Sequence, residues 1–130
     1  MCGILGYTHI SRRLAAGVLE AGIDALVHRG PDQQGSFVSP HISLGATRLR
    51  IVDLEGGDQP VIGSDRNAAI AFNGEIYNHR ELRRELEQRG AIFETHCDTE
   101  VVLKAFLEWG ESCFARMRGM FAVAISHADR

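Results

Sequence analysis

A chain of 130 residues is long enough to bury a hydrophobic core and short enough to form a single domain. Hydrophobic residues make up 45% of it, charged residues make up 24%, and the formal net charge is −3, so neither a nucleic acid nor an anionic membrane is indicated as a partner. Because no apolar run is long enough to span a membrane and no export signal opens the chain, we expect a cytoplasmic protein.

The cysteines are three in number, Cys2, Cys97 and Cys113, and no two of them have CxxC spacing. An odd count without paired spacing predicts neither a zinc site nor a disulfide framework. We therefore expect Cys97 and Cys113 to be reduced thiols in the core, and we expect no metal site.

Hydrophobic periodicity and turn residues predict strands and helices that alternate irregularly along the chain. Strands are predicted over residues 2–7, 35–39, 42–49, 68–73 and 119–126. Helices are predicted over residues 12–27, over residues 78–89, and from residue 98 or 99 onward. Because neighbouring strands follow one another as in hairpins, the order favours an α+β fold with antiparallel sheets covered by helices.

The helix at residues 78–89 has the clearest boundary signals. Asn78 stands at the N-cap position, Glu81 follows three residues later as in a capping box, and Gly90 comes directly after the predicted end. Leu82 and Leu86 form its predicted buried stripe.

Cys2 is the first candidate for chemistry. Removal of Met1 would leave a thiol and a free α-amine on one residue. An α-amine has a pKa of about 7.7–8.0, whereas a lysine ammonium has one of about 10.4, so part of the amine is basic at neutral pH. Such an amine can take the thiol proton without a histidine. The alternative is a small apolar residue that opens a strand.

Asn73 and Gly74 form a second candidate, because they end a predicted buried strand. A side-chain amide and a glycine N–H aimed at one point form an oxyanion hole, which contributes about 3–4 kcal/mol per donor. The alternative is a two-residue hairpin turn, which Asn-Gly favours. We favour the oxyanion hole, because a capped helix is predicted to start only four residues later.

Arg48 and Asp98 complete a set of groups that would suit an amino acid. A guanidinium is the best fork for an α-carboxylate, although simple alternation along a strand would point Arg48 and Arg50 to solvent. Asp98 lies at a predicted helix start, where N-capping is the alternative to ligand binding. The residues by themselves indicate a cysteine amidohydrolase that acts on an amino acid.

Seven segments in one order resemble a known family. They are CGI at 2–4, HRGPD at 28–32, RLRIVD at 48–53, QP at 59–60, FNGEIYN at 72–78, DTE at 98–100 and GMFA at 119–122. In this order they resemble the N-terminal glutamine amidotransferase domain, of the class II N-terminal-nucleophile type, of glutamine-hydrolysing asparagine synthetases. The HRGPD and NGEIYN forms point to this branch, which also contains amidotransferases that make other amides.

The resemblance implies a fold, a reaction and a set of site residues. The implied fold is an α+β sandwich of the αββα type, which fills residues 2–130 and is incomplete at its C-terminus. Cys2 would attack the glutamine carboxamide, while Asn73 and Gly74 would hold the oxyanion. Arg48 would bind the glutamine carboxylate, and Asp98 and Glu75 would face its ammonium group. The implied glutamine-binding residues are Arg48, Leu49, Arg50, Ile51, Val52, Asn73, Gly74, Glu75 and Asp98. Residues 28–32 would support the site.

The resemblance also implies what lies outside this chain. The Ser-Gly-Gly-x-Asp-Ser loop of the family's synthetase domain does not occur in the sequence. Glutamine hydrolysis is expected to need no cofactor, and ATP and Mg²⁺ would serve only the synthetase domain, the implied partner, which normally belongs to the same polypeptide. A homodimer is a further assembly to test. The alternatives are a silent module that binds glutamine or a partner, and a truncated fragment without activity of its own.

Overall fold

The computed structural model describes residues 2–9, 17–50, 57–64 and 66–128. The strands are β1 (Gly3–Thr8), β2 (Gln33–Val38), β3 (Ile42–Arg48), β4 (Val61–Ile62), β5 (Ala68–Ile76) and β6 (Gly119–His127). The helices are α1 (Val18–Ala25), α2 (His79–Gln88) and α3 (Asp98–Trp109), with 3₁₀ helices at Val27–Arg29 and Gly110–Arg116. None of the helices in these ranges is long and apolar enough to cross a membrane.

The strands form two antiparallel sheets. The first sheet has the order β1-β3-β2, and its register places Gly3 opposite Thr47 and Gln33 opposite Arg48. The second sheet has the order β4-β5-β6, and its longest ladder runs from Ala68 opposite His127 to Ile76 opposite Gly119. Each central strand, β3 or β5, therefore carries predicted functional residues towards its C-terminal end.

Apolar side chains arrange these elements in four layers. Helix α1 covers the outer face of the first sheet, where Gly45 leaves room for the side chain of Ile23. The two sheets face each other through small side chains, and α2 and α3 cover the far side of the second sheet. The contact between the sheets contains Leu44, Ala46, Ala69 and Ala71. The helix-covered core contains Ile70, Phe72, Leu82, Leu86, Val101 and Val102. The predicted αββα order of an α+β fold is confirmed.

The strand predicted at residues 68–73 is longer than the sequence indicated. Residues 68–72 are buried as expected for a strand covered on both faces, and β5 then continues to Ile76 because Asn73 and Gly74 pair with Ala122 and Phe121 of β6. The hairpin alternative for Asn73 and Gly74 is therefore wrong. Strand β4 was not predicted, since two residues carry no periodicity.

The helix predictions are confirmed in part. Helix α2 ends at Gln88, and Gly90 follows with a φ of 95°, a conformation that glycine adopts without strain. The prediction of a helix over residues 12–27 is met by α1 over Val18–Ala25 only, because Val27 begins a 3₁₀ helix, and residues 12–16 lie outside the described part of the chain.

The predicted capping box at Asn78 is wrong. Asn78 is the N-cap of α2, but its side chain makes no capping hydrogen bond. Its Nδ2 donates to the carbonyl oxygen of Arg116 at 2.9 Å, and its Oδ1 accepts from the backbone N–H of Arg118 at 2.8 Å. The side chain therefore joins the start of α2 to the segment that enters β6.

Candidate active site

Strand alternation brings three candidate residues to one end of the space between the sheets. Side chains alternate in direction along a strand. The inter-sheet core is built from even-numbered residues of β1 and β3 and from odd-numbered residues of β5. Three residues, Cys2, Arg48 and Asn73, continue these three series beyond the apolar residues of the inter-sheet core. Polar side chains therefore lie at one end of the apolar layer between the sheets.

Cys2 and Asn73 are in direct contact. The backbone nitrogen of Cys2 donates a hydrogen bond of 3.0 Å to Oδ1 of Asn73, and both residues are partly buried. Because Oδ1 is the acceptor, the two N–H groups of the Asn73 amide are directed elsewhere. One amide can therefore hold the nitrogen of Cys2 and donate to a third group.

Gly74 is required by the close approach of β6. A Cβ at this position would overlap the carbonyl oxygen of Met120 and the Cα of Phe121. Gly119 has the same constraint on the facing strand, where a Cβ would overlap the carbonyl oxygen of Glu75. Two glycines therefore let β5 and β6 pair tightly beside Asn73.

The segment at residues 28–32 supports the ends of β1 and β3. Arg29 donates from Nε to the carbonyl oxygen of Cys2 at 3.3 Å. Asp32 donates its backbone N–H to the carbonyl oxygen of Arg48 at 3.0 Å, and its Oδ2 accepts from the backbone N–H of Arg50 at 2.9 Å. The side chain of His28 is exposed and bonds the carbonyl oxygen of Ala25.

Arg29 contacts the candidate site, and the sequence analysis did not single it out. It was included only in the supporting segment, because an arginine before Gly-Pro reads as an ordinary turn residue. The contact of Arg29 with the candidate nucleophile is visible only in the tertiary structure, since 27 positions separate Arg29 from Cys2.

Arg48 is buried, with only 4% of its surface exposed. The alternation argument that pointed it to solvent is therefore wrong. Its Nη1 lies 3.3 Å from Oδ1 of Asp58, and the same oxygen lies 2.9 Å from Nη2 of Arg50, which is partly exposed. Gly57 lies against Arg48 and Cys97, since a Cβ there would meet Sγ of Cys97 at 2.8 Å and Nη2 of Arg48 at 3.2 Å.

Asp98 joins the start of α3 to the end of β5. It is the first residue of the helix, and the N-cap is Cys97, so N-capping by Asp98 is wrong. Its Oδ2 accepts the backbone N–H of Ile76 at 3.0 Å, and Sγ of Cys97 lies 3.7 Å from its Oδ1. Glu75 is exposed one residue earlier on β5, opposite Met120.

Leu49, directly after β3, is partly buried. The remaining residues predicted to bind glutamine, Ile51 and Val52, lie outside the described part of the chain.

Cys97 is a buried thiol beside the site. Burial raises its pKa, and the negative charge of Asp98 adds to that effect, whereas hydrogen bonds with Thr99 and the positive charge of Arg48 oppose it. A raised pKa keeps the sulfur protonated at neutral pH, and the thiolate is the reactive form. Cys97 is therefore a core thiol rather than a second nucleophile.

The arrangement combines one candidate nucleophile with donors and charges that would suit an amino acid. A thiol, an amide, a buried guanidinium and a carboxylate are positioned by the ends of two sheets and one helix. Within residues 2–9, 17–50, 57–64 and 66–128, no three His, Cys, Asp or Glu side chains are grouped so that they could hold a metal ion. This geometry suits attack by the thiol on a carbonyl group.

Sequence comparisons identify the family and the proteins to which this chain is similar. The family described as a glutamine amidotransferase domain matches residues 1–130. Glutamine-hydrolysing asparagine synthetase 1 of Bacillus subtilis (strain 168) is 48% identical over 100 residues, which are 77% of this chain and 16% of that protein. Glutamine-hydrolysing asparagine synthetase 3 of the same strain is 39% identical over 129 residues, which are 96% of this chain and 21% of that protein. A probable asparagine synthetase of Schizosaccharomyces pombe (strain 972 / ATCC 24843) is 36% identical over 132 residues, which are 100% of this chain and 24% of that protein. The chain thus spans between 16% and 24% of the length of these relatives.

A solved structure shares the fold. Glutamine phosphoribosylpyrophosphate amidotransferase from B. subtilis, complexed with ADP and GMP, matches with a TM-score of 0.56 and 24% identity, over 70% of this chain and 22% of that one. At this identity the likeness concerns the fold alone, and it agrees with the two antiparallel sheets and the helices that cover them.

Proposed function

Because the chain belongs to the glutamine amidotransferase domain family, we propose that it hydrolyses the side-chain amide of glutamine to glutamate and ammonia, with Cys2 as the nucleophile. The resemblance drawn from seven sequence segments is confirmed by the family match and by the asparagine synthetase relatives. The observation that carries the proposal is the 3.0 Å hydrogen bond from the nitrogen of Cys2 to Oδ1 of Asn73.

The proposed reaction begins at the N-terminus that removal of Met1 creates. The free α-amine of Cys2 takes the proton of its own thiol, directly or through a water, and the thiolate attacks the carboxamide carbon. The carbonyl oxygen becomes an oxyanion, which accepts hydrogen bonds from Nδ2 of Asn73 and from the N–H of Gly74. The protonated amine then gives its proton to the departing ammonia, and a thioester remains. A water molecule hydrolyses that thioester to glutamate and restores the thiol.

The hydrogen bond between Cys2 and Asn73 supports this assignment in two ways. It holds the proposed base, the nitrogen of Cys2, next to the proposed oxyanion donor, because that donor is Nδ2 of the same Asn73 amide whose Oδ1 accepts the hydrogen bond. It also leaves the Asn73 N–H groups to donate, and an amide donor is what a developing negative charge requires. A silent binding module would not need a nucleophile and an oxyanion hole side by side.

Substrate binding would use the charges around the same end of the sheets. Arg48 would hold the α-carboxylate, because a guanidinium matches a carboxylate in a two-bond fork and because its burial strengthens the interaction. Asp98 and Glu75 would face the α-ammonium group. Leu49, Arg50, Ile51 and Val52 would line the pocket with backbone groups.

The wider role is argued from the asparagine synthetase relatives. We assign residues 2–130 to one amidotransferase domain, whose ammonia passes to a synthetase domain that amidates aspartate to asparagine. ATP and Mg²⁺ would act only in that second domain, and amidation of another acceptor is the alternative within the same branch. The cytoplasm is the proposed compartment, since the three cysteines are free thiols as a reducing compartment requires. A homodimer remains an assembly to test.

The test of the proposed function is the Cys2→Ala variant. Hydrolysis should be abolished while glutamine binding is nearly retained, because Arg48, Glu75 and Asp98 supply the affinity. Glutamate release measures hydrolysis, and calorimetry measures binding. The matched control is Cys113→Ala, which removes a thiol that is buried in the helix-covered core of the second sheet and should keep hydrolysis.

Two outcomes would contradict the proposal. Glutamate release by Cys2→Ala at the unmodified rate would remove Cys2 from the mechanism. A wild-type protein that binds glutamine but releases no glutamate would support the silent binding module instead.

A further inference from the structure

Gln59 is a buried polar residue that the proposed reaction does not use. Only 5% of its surface is exposed, and it belongs to the QP pair at residues 59–60 that precedes β4. Its Oε1 accepts the backbone N–H of Phe72 at 2.7 Å. Phe72 is itself buried and comes directly before Asn73.

The side chain of Gln59 takes the place of a missing strand. Strand β4 pairs with β5 only at Val61 opposite Ile70 and Ile62 opposite Ala69. Continued by two residues, this register would put residue 59 opposite Phe72. The ladder stops before that point, and the amide oxygen of the Gln59 side chain receives the N–H that a neighbouring strand would have received.

The backbone of Gln59 is held by a different sheet. Its N–H donates to Oε1 of Gln33 at 3.0 Å, and its carbonyl oxygen accepts from Nε2 of Gln33 at 2.9 Å. Gly35 permits this contact, because a Cβ there would overlap the carbonyl oxygen of Gln59. One residue therefore ties β2 of the first sheet to β5 of the second.

We propose that Gln59 is a positioning residue for the oxyanion hole, a role that rests on the proposed function. It fixes the Ala71–Phe72 peptide unit of β5, one unit before the peptide that enters Asn73, and so sets where the Asn73 amide and the Gly74 N–H point. Without the Gln59 oxygen, the Phe72 N–H would be buried without an acceptor, a state that proteins avoid by moving the backbone. A displacement near 1 Å at a catalytic group can cost roughly a hundredfold in rate.

The test compares three variants of the full polypeptide that the gene encodes. Gln59→Met removes the acceptor and keeps the approximate size, whereas Gln59→Glu keeps an acceptor oxygen in either protonation state. Gln34→Met is the matched control, since Gln34 is an exposed glutamine on β2. We expect kcat for glutamine hydrolysis to fall about tenfold or more in Gln59→Met, with KM nearly unchanged. Gln59→Glu should recover most of kcat, and Gln34→Met should match the wild type.

Two further measurements separate positioning from loss of structure. Alkylation of Cys2 by iodoacetamide does not require an oxyanion hole, so its rate should be unchanged in Gln59→Met. Hydrogen exchange at the Phe72 amide should become faster in that variant and stay slow in Gln59→Glu. If Gln59→Met does not fold, Gln33→Met takes its place, since it releases the backbone of Gln59 and should also lower kcat.

The outcomes distinguish this role from the proposed function. Wild-type protein that does not hydrolyse glutamine would refute the proposed function and this role with it. Wild-type hydrolysis with an unchanged kcat in the folded Gln59→Met variant, or in Gln33→Met where Gln59→Met does not fold, would refute the positioning role alone. An equal loss of kcat in Gln59→Met and Gln59→Glu would also refute it, because the acceptor oxygen would then be irrelevant.

Discussion

The backbone nitrogen of Cys2 and the side-chain oxygen of Asn73 are joined by a hydrogen bond of 3.0 Å, although 71 positions separate the two residues. The contact joins the residue directly before β1 of one sheet to the central strand of the other. It places the proposed base, the nitrogen of Cys2, against the Asn73 amide, whose Nδ2 is the proposed oxyanion donor. The state of the Cys2 nitrogen therefore decides whether this geometry is competent.

Blocking the α-amine of Cys2 should abolish glutamine hydrolysis. An N-terminal extension that keeps Met1 turns the amine into an amide, which is not basic, while the thiol and Asn73 stay in place. The measurement is glutamate release by protein whose intact mass shows the extension. The control is the same protein after a protease has removed the extension up to Cys2, which should be active.

Full activity with a blocked N-terminus would show that another group is the base. His28 would then be the first residue to test, although its side chain bonds the carbonyl oxygen of Ala25.

Asp98→Asn should weaken glutamine binding without unfolding the protein. Asparagine keeps an oxygen that can accept the Ile76 N–H, so the tie between α3 and β5 should survive. The charge that would face the glutamine ammonium is lost, and hydrogen bonds to charged groups contribute about 1.5–3 kcal/mol. We therefore expect KM for glutamine to rise about tenfold or more, measured by steady-state kinetics together with thermal unfolding.

The matched control is Asp24→Asn, the same change at an exposed residue of α1, which should leave KM unchanged. An Asp98→Asn protein that unfolds at lower temperature with no rise in KM would mean that the carboxylate has a structural role only.

The three thiols should differ in their reactivity with iodoacetamide as a function of pH. Burial raises the pKa of Cys97 and of Cys113, so at each pH a smaller fraction of these sulfurs is thiolate than in an ordinary exposed thiol. Since the thiolate is the reactive form, Cys2, which is only partly buried, should be labelled first near neutral pH. Cys97 and Cys113 should be labelled only as the pH rises above the pKa of an ordinary thiol. Peptide mass mapping measures the three sites separately, and labelling of Cys97 as fast as Cys2 at neutral pH would contradict the effect of burial.

Residues 1–130 produced alone should be poorly stable and show little glutaminase activity. In the described part of the chain, β6 is paired on one side only, and an open strand edge invites pairing between molecules. Beside it lies a cavity of about 520 Å³ with apolar residues in its lining, among them Phe106, Phe114, Val123 and Ile125.

The measurement is size-exclusion chromatography with a glutamate assay, beside the full polypeptide that the gene encodes. A short form that is monomeric, unfolds cooperatively and turns over at the rate of the full polypeptide would contradict the prediction.

Most of the secondary structure and part of the site were predictable from the sequence. Strand and helix positions follow local periodicity, so the spacing of Leu82 and Leu86 alone was enough to assign both residues to the core. Cys2 was identifiable as a candidate because its chemistry lies within one residue. Asn73 and Gly74 were identifiable as candidates because two donors follow an apolar run and a helix is predicted to start four residues later.

The partners of the polar side chains were decided by the tertiary structure alone. Asn78 and Asp98 both stand at helix starts, where local sequence favours capping, yet their side chains bond backbone groups 22 to 40 residues away. No local pattern indicated the partners of Arg29 and Gln59, because these partners, Cys2 and Phe72, are distant in the chain. Periodicity records which face of an element is buried, and it is a property of neighbouring residues in the chain. A hydrogen bond depends on two groups meeting within about 3 Å in space, and only the packing of the two sheets brings those groups together.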